Sequence, residues 1–309
     1  MLSKTTGNAL AAILSVALLA APRPAQAAPI KDYVALGDSM AFGETTFTQN
    51  PSNGDRGYVG LYANSLATQN GGVRPNVINL GVDAETSSTF FNGGPKGDGT
   101  SSGSPAPQLN LNYANPAPTQ NSLLLSTIAL EKAAGHDIST VSVQLGANDL
   151  YAAANAPGFF ALSPAAQGAQ IAKVLAGVQA NDATLLTELK TLLPHANLVL
   201  LGYHNPFNAD PTSAIGKVAD PAIKALNTLI AAEAKAFGGR YVDTYSPFLG
   251  HEIGLTSIAL GNVHPNAAGY QAIANQLETV PEPGSLLVFG AGVAGWLALS
   301  RRRLRSRAA

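Results

Sequence analysis

Tyr33-Val34-Ala35-Leu36-Gly37-Asp38-Ser39-Met40-Ala41-Phe42-Gly43 is the stretch whose reading decides the fold. The apolar run Tyr33 to Leu36 reads as a buried strand of a parallel sheet. It stops at Gly37, and a turn of small residues follows. A serine just past a strand's carboxyl end sits where open α/β sheets bind ligands. A tight strand-to-helix turn also leaves its hydroxyl exposed, with backbone N–H groups pointing the same way. Ser39 therefore stands in a nucleophile's position. The plainer reading is a Gly-Asp-Ser turn in which Asp38 or Ser39 caps a helix.

Outward from this stretch, strands and helices alternate. Tyr58 to Leu66 reads as a helix with Leu61, Tyr62 and Leu66 on one face, and Val77 to Leu80 as a second strand ending at Gly81. Ser122 to Ala134 is a helix stopped by Gly135, and Thr140 to Leu145 a third strand, with Asn148 just beyond it. Ser163-Pro164 opens a long helix that Pro194 stops, and Leu198 to Leu201 is a fourth strand. Asp220-Pro221 reads as the start of the next helix, with Ile223, Leu226, Ile230 and Phe237 inward. Arg240 to Asp243 is a fifth short strand, and Pro265 to Leu277 the last helix of the domain. This alternation predicts a parallel sheet covered on both faces, and right-handed crossovers leave few topologies. The expectation is an α/β fold, a flavodoxin-like three-layer α/β/α sandwich on a five-stranded parallel sheet.

Asn92 to Asn121 is rich in Gly, Pro, Ser and Asn and reads as a surface insertion near the site. Within it, Gly99-Thr100-Ser101-Ser102-Gly103 matches the G-x-S-x-G nucleophile elbow. The elbow needs a strand before it and a helix after it, and neither is present, so the match is set aside.

The two ends differ from the middle. Residues 1–27 read as a signal peptide: Lys4 supplies the positive start, Ala9 to Ala21 the apolar stretch, and Ala25-Gln26-Ala27 the small-x-small cleavage site. Residues 280–309 begin with Val280-Pro281-Glu282-Pro283-Gly284, continue through an apolar run from Ser285 to Ser300 and end in five arginines. That run sits at the lower limit for a membrane span, and the arginines would hold its end in the cytoplasm. Residues 28–279 make up the domain between. The formal net charge of −1 conceals this division: without the seven basic residues and one acid of the two ends, 11 basic and 18 acidic residues remain. An acidic body of this kind argues against a nucleic-acid partner. Cysteine is absent, so neither a disulfide nor a thiolate metal site arises.

Taken together, Gly37-Asp38-Ser39, Asn79-Leu80-Gly81, Gly146-Ala147-Asn148-Asp149 and His264-Pro265-Asn266 resemble, in this order, the four blocks of the GDSL/SGNH hydrolase family. The resemblance covers roughly 32–277 and implies the same sandwich fold. It implies Ser39 as nucleophile, His264 as its base, and an oxyanion hole made by the N–H of Ser39, the N–H of Gly81 and the side-chain amide of Asn148. Asp38 and Asp149 are expected to fix turns, and His204 to line the pocket. Neither metal nor cofactor is implied. The family has an aspartate three residues before the histidine; here that position is Gly261, with Asn262 beside it. A main-chain carbonyl within 257–262 is the expected substitute partner for His264, ahead of Glu252. The Pro-Glu-Pro, apolar run and arginine cluster resemble the PEP-CTERM sorting signal, which implies a membrane sorting protease as partner, transient anchoring in the inner membrane, and release to the cell surface or medium. The function so implied is a secreted serine esterase acting on lipid, short-chain acyl or acetylated-carbohydrate esters. The alternative is a non-catalytic surface or matrix protein that keeps the fold to bind polysaccharide.

Overall fold

Five parallel strands form the central sheet in the order β2-β1-β3-β4-β5. They are β1 (Lys31–Gly37), β2 (Asn76–Asn79), β3 (Asp137–Gln144), β4 (Asn197–Leu201) and β5 (Arg240–Val242). The computed structural model describes residues 30–45, 56–93 and 119–279. Residues 1–27, read from the sequence as a signal peptide, the G-x-S-x-G stretch and the tail from 280 lie outside the described residues. Among those described, no helix is long and apolar enough to cross a membrane.

The helices are α1 (Ser39–Phe42), α2 (Gly57–Gln69), α3 (Thr89–Asn92), α4 (Gln120–Ala134), α5 (Ala147–Ala154), α6 (Pro164–Leu192), α7 (Ala214–Ala236), α8 (Glu252–Leu255) and α9 (Ala267–Thr279). The first crossover, through α2, runs from β1 outward to β2; those through α4, α6 and α7 run the other way. With right-handed connections, the reversal puts α2 on one face and the other three on the opposite face. In keeping with this, α2 packs against α9 and α6 against α7. The reversal lies at β1, between β2 and β3, and Ser39 follows β1 there. That is the crevice where open α/β sheets place their ligands.

Val34, Ala35 and Leu36 are fully buried between the layers, as are Val178, Leu185 and Leu189 of α6 and Leu226 of α7. Fully burying one such aliphatic side chain contributes about 1.5–3 kcal/mol. Tyr33 meets Tyr62 of α2 edge to face at 5.4 Å between centroids, and its hydroxyl bonds Ser142 Oγ of β3 at 2.8 Å. The ring and the hydroxyl thus tie one helix and two strands into the same corner.

The start of α7 differs from the sequence expectation. The helix begins at Ala214, where Ser213 Oγ caps the Gly216 N–H, and Pro221 lies inside it. Proline in a helix forfeits one i→i−4 bond and crowds the preceding turn. The cap at Ser213 and the buried faces of Ala222, Leu226 and Ile230 outweigh that cost, so Asp220-Pro221 is not a start signal here.

Candidate active site

Buried amide side chains pin the carboxyl edge of the sheet. Gln120 of α4 accepts from the Gly37 N–H at 2.8 Å and donates to the Gly37 carbonyl at 2.9 Å. Asn227 of α7 does the same for Tyr203, at 2.7 and 2.8 Å. Gln144 donates to the Gly202 carbonyl at 2.7 Å, just past β4. Strand ends leave backbone groups unpaired, and a buried unpaired group is costly, so these amides both satisfy and immobilise the rim. Gly37, at φ 141°, allows β3 to approach: a Cβ there would lie 2.3 Å from the Gln144 carbonyl oxygen.

On this rim, Asp38 caps α1 by accepting from the Met40 N–H at 2.9 Å, and its other oxygen accepts from the Tyr203 hydroxyl at 2.6 Å. Burial raises its carboxyl to about 7, against the pull of those two bonds. Ser39 follows, 6% exposed. Among the described residues none accepts from its N–H.

His264 arrives from the other end of the chain. A bridge between Thr256 and Pro265 and the bonds Ser257 N–H to His264 O (2.9 Å) and Asn262 N–H to Ser257 O (3.2 Å) close the loop that carries it. Its Nε2 lies 2.8 Å from Ser39 Oγ, and its Nδ1 lies 2.7 Å from Asn262 Oδ1. An amide oxygen only accepts, so Nδ1 carries the proton and Nε2 is left bare toward the serine hydroxyl. Asn262 Oδ1 also accepts from the backbone N–H of His264, at 2.8 Å. Burial lowers the imidazole to about 4.

The acceptor for His264 is thus a side chain and not the expected main-chain carbonyl. An asparagine two residues before the histidine makes an Asx turn, and the oxygen that closes the turn also reaches the ring. That signal was present in the sequence. Glu252 serves elsewhere, with Oε1 accepting from the Gly250 N–H at 3.1 Å. A second acidic group does approach the ring: Glu44 Oε1 lies 3.6 Å from Nδ1, with Asp83 close by.

Ser39, Asn148 and His264 line one cavity of about 370 Å³. Asn148 spends one amide proton on the Glu85 carbonyl, at 3.0 Å, which leaves the second for the cavity. Gly81 does not reach the cavity. Its N–H donates to Asn79 Oδ1 at 2.9 Å, and a Cβ at Gly81 would lie 2.6 Å from the Phe42 nitrogen. The glycine is needed for packing α1 against the end of β2, and its N–H is engaged by Asn79 in this structure. The wall there is formed instead by Asp83 and by Ala84, at φ 58°.

Asp149 makes a long-range tie and not the expected local turn: it accepts from the N–H and hydroxyl of Ser87, each at 2.8 Å, joining the start of α5 to the segment after β2. His204 lines the cavity, stacked on Phe248 at 4.3 Å and directed at the Val263 carbonyl; burial lowers it to about 4. The cavity has two characters. Its lining combines the polar Ser39, His264 and Asn148 with the apolar Leu150, Ile171, Val218, Ala222 and Ile223.

The model of the GDSL-like lipase/acylhydrolase family matches residues 35–272, and that of the PEP-CTERM protein-sorting motif matches 279–303. No curated protein matches the chain. Among solved structures, a lipase from a goat rumen metagenome is similar at a TM-score of 0.56 and 18% identity, over 81% of this chain and 96% of its own. An acetylxylan esterase from Geobacillus stearothermophilus superposes at 0.50 with 16% identity, over 81% and 94%. A putative GDSL-like lipase from Parabacteroides merdae does so at 0.51 and 15%, again over 81% and 94%. At these identities the structures establish the fold, and the family match establishes kinship. The chain belongs to the GDSL-like lipase/acylhydrolase family, and by that membership is a carboxylic ester hydrolase.

Proposed function

We propose that the protein is an exported serine esterase in which Ser39 is the nucleophile, His264 its general base and Asn262 the group that orients the base. The observation that carries this reading is the continuous contact Ser39 Oγ to His264 Nε2 (2.8 Å) and His264 Nδ1 to Asn262 Oδ1 (2.7 Å). A serine hydroxyl is a weak nucleophile until a base takes its proton. As Oγ attacks the ester carbonyl, its proton passes to Nε2. The carbonyl oxygen becomes an oxyanion, which in this reading accepts from the Ser39 N–H and the second amide proton of Asn148. Imidazolium then returns the proton to the departing alcohol, leaving an acyl group on Ser39. Water, deprotonated by the same nitrogen, releases the acid and restores the site.

The apolar lining supports an aliphatic acyl group longer than acetyl. Each methylene moved from water onto it contributes about 0.8 kcal/mol. Lipid or short-chain acyl esters suit the cavity better than acetylated carbohydrate. The occupied Nδ1 acceptor weighs against the non-catalytic polysaccharide-binding reading, because a retired site has no need for a fixed tautomer.

Turnover of nitrophenyl esters of increasing chain length tests the proposal. Hydrolysis should rise from acetyl toward medium chains and be abolished in Ser39→Ala; full activity in that variant would refute it. For the chain ends, we infer removal of residues 1–27 and cutting by a sorting protease near Pro281-Glu282-Pro283. Intact mass of protein recovered from the cell surface or medium checks this, and a full-length species there would leave only membrane anchoring by the tail.

A further inference from the structure

Asn262 orients His264 but carries no charge, and a neutral acceptor does little to stabilise the imidazolium formed as Ser39 reacts. The nearest acidic groups are Glu44, after α1, and Asp83, after β2. One ligand atom each from Glu44, Asp83 and His264 lie within 4.8 Å of one another, with Glu44 Oε1 at 3.6 Å from His264 Nδ1. The Glu44 side chain is only 10% exposed, and among the described residues none donates to its buried Oε2. Two carboxylates this close and this dry do not both ionise. A single proton held between them removes the repulsion, gives the orphaned oxygen a role and leaves the pair with one negative charge.

Burial first, and Asp83 second, push the Glu44 carboxyl up to about 9. Burial also raises Asp83, against a hydrogen bond from Glu44 and one from the Ala84 N–H. The other charged group beside Glu44 is Arg56, which lowers its carboxyl, while Asp38 raises it further. The Tyr270 hydroxyl is spent on the Glu44 carbonyl, at 2.6 Å.

We propose that Glu44 and Asp83 are a positioning pair that shares one proton and presents a single negative charge to the Nδ1 edge of His264, supplying what Asn262 lacks. The pair acts through the histidine, and because both side chains also line the cavity, the test separates kcat from KM. This rests on the reading of His264 as base.

The charge count sets the test. Glu44→Gln keeps the bond to Asp83 and leaves Asp83 ionised. Asp83→Asn leaves the burial that chiefly raises Glu44, so Glu44 stays protonated and the charge is lost. Glu44→Gln keeps one charge and should lower kcat by less than about tenfold, whereas Asp83→Asn should lose nearly as much as the double variant. Glu44→Gln/Asp83→Asn keeps none, and should lower kcat by about 10²–10³-fold, the value of a unit charge some 4 Å away at an effective dielectric near 20. KM should change little, because the charge matters only once imidazolium forms. Glu44→Leu/Asp83→Leu serves if the amide pair does not fold, since apolar replacement of a buried ionic pair is often tolerated.

A double variant with wild-type kcat overturns the proposal. So does a Glu44→Gln variant that loses as much as the double while its melting temperature holds. Loss of wild-type activity to EDTA, restored by a divalent cation, also overturns it, because a metal and not a proton would then join the carboxyls. Ser39→Ala assayed alongside separates the two readings. If it stays active, the site itself is misassigned; if it is dead while the double variant is unimpaired, only the pair is.

Discussion

Replacing Asn262 by aspartate puts a charge where the structure has a neutral acceptor. Asn262 Oδ1 stands 2.7 Å from His264 Nδ1 and 2.8 Å from its backbone N–H, so the nearly isosteric carboxylate can accept both bonds. Burial alone holds the imidazole at about 4. An opposite charge in direct contact raises a base by about one to three pH units. The acid limb of kcat/KM, which reports the free enzyme's base, should therefore move from near pH 4 to between about pH 5 and 7. Glu44 and Asp83 also face this ring, and their negative charge favours the upper part of that range.

At pH 8 kcat should rise by up to about 10²-fold. The guide is the serine-protease triad, in which converting the aspartate to asparagine costs about 10⁴; the gain is smaller here if other negative charge is already present. Asn262→Leu should lose about 10³-fold or more, since neither tautomer nor ring position is then held. The assay is a pH–rate profile on one soluble acyl ester for wild type and both variants, with melting temperatures to check the fold. An acid limb that stays near pH 4 in Asn262→Asp, with the fold intact, would refute the assignment of His264 as the base that Asn262 orients.

Ser39→Ala and His264→Ala should each cost orders of magnitude in kcat, and the double variant little more, because the two groups act as one unit; additive losses in single-turnover assays would contradict this. Asn148→Ala should cost about 10²–10³-fold in kcat with KM nearly unchanged, the scale of one oxyanion donor. Gly81→Ala should destabilise the fold, its Cβ meeting the Phe42 nitrogen at 2.6 Å, whereas Ala84→Gly should leave thermal stability equal or higher by relieving φ 58°. Asp38, Glu44 and Glu85 are raised to about 7, 9 and 8, chiefly by burial, so the folded state holds protons that the unfolded chain releases above about pH 4–5. Stability should therefore rise as pH falls from 9 toward 6.5. Below 6.5, His204 and His264, lowered to about 4, oppose that trend because the unfolded chain binds protons the fold does not. A melting temperature at pH 9 equal to or above that at pH 6.5 would contradict these assignments.

Local patterns were enough for the scaffold. Apolar runs of strand length, helix stripes and their alternation specify a parallel α/β sheet, because burial on both faces depends on residue type and period alone. They also placed Ser39 and Asn148 at strand ends, since a position just past a strand is a local property. Where local signals compete, the outcome depended on the rest of the fold. Pro221 looked like a helix start, and a cap eight residues upstream, at Ser213, together with a buried face overrode it.

The partners of His264 were decided by three-dimensional closure. Asn262 is its neighbour in sequence, but that its oxygen reaches Nδ1 follows from the loop folded by the Thr256–Pro265 bridge. That Gly81 must be a glycine follows from how closely α1 packs on the end of β2, which is not a property of the local pattern, while its N–H bonds Asn79 Oδ1 in the turn they share. Glu44 and Asp83 had no signature at all. A carboxyl acquires a shared proton and a role only from burial and from a second carboxyl within a few ångströms, and both come from segments that meet only when β1 and β2 pair.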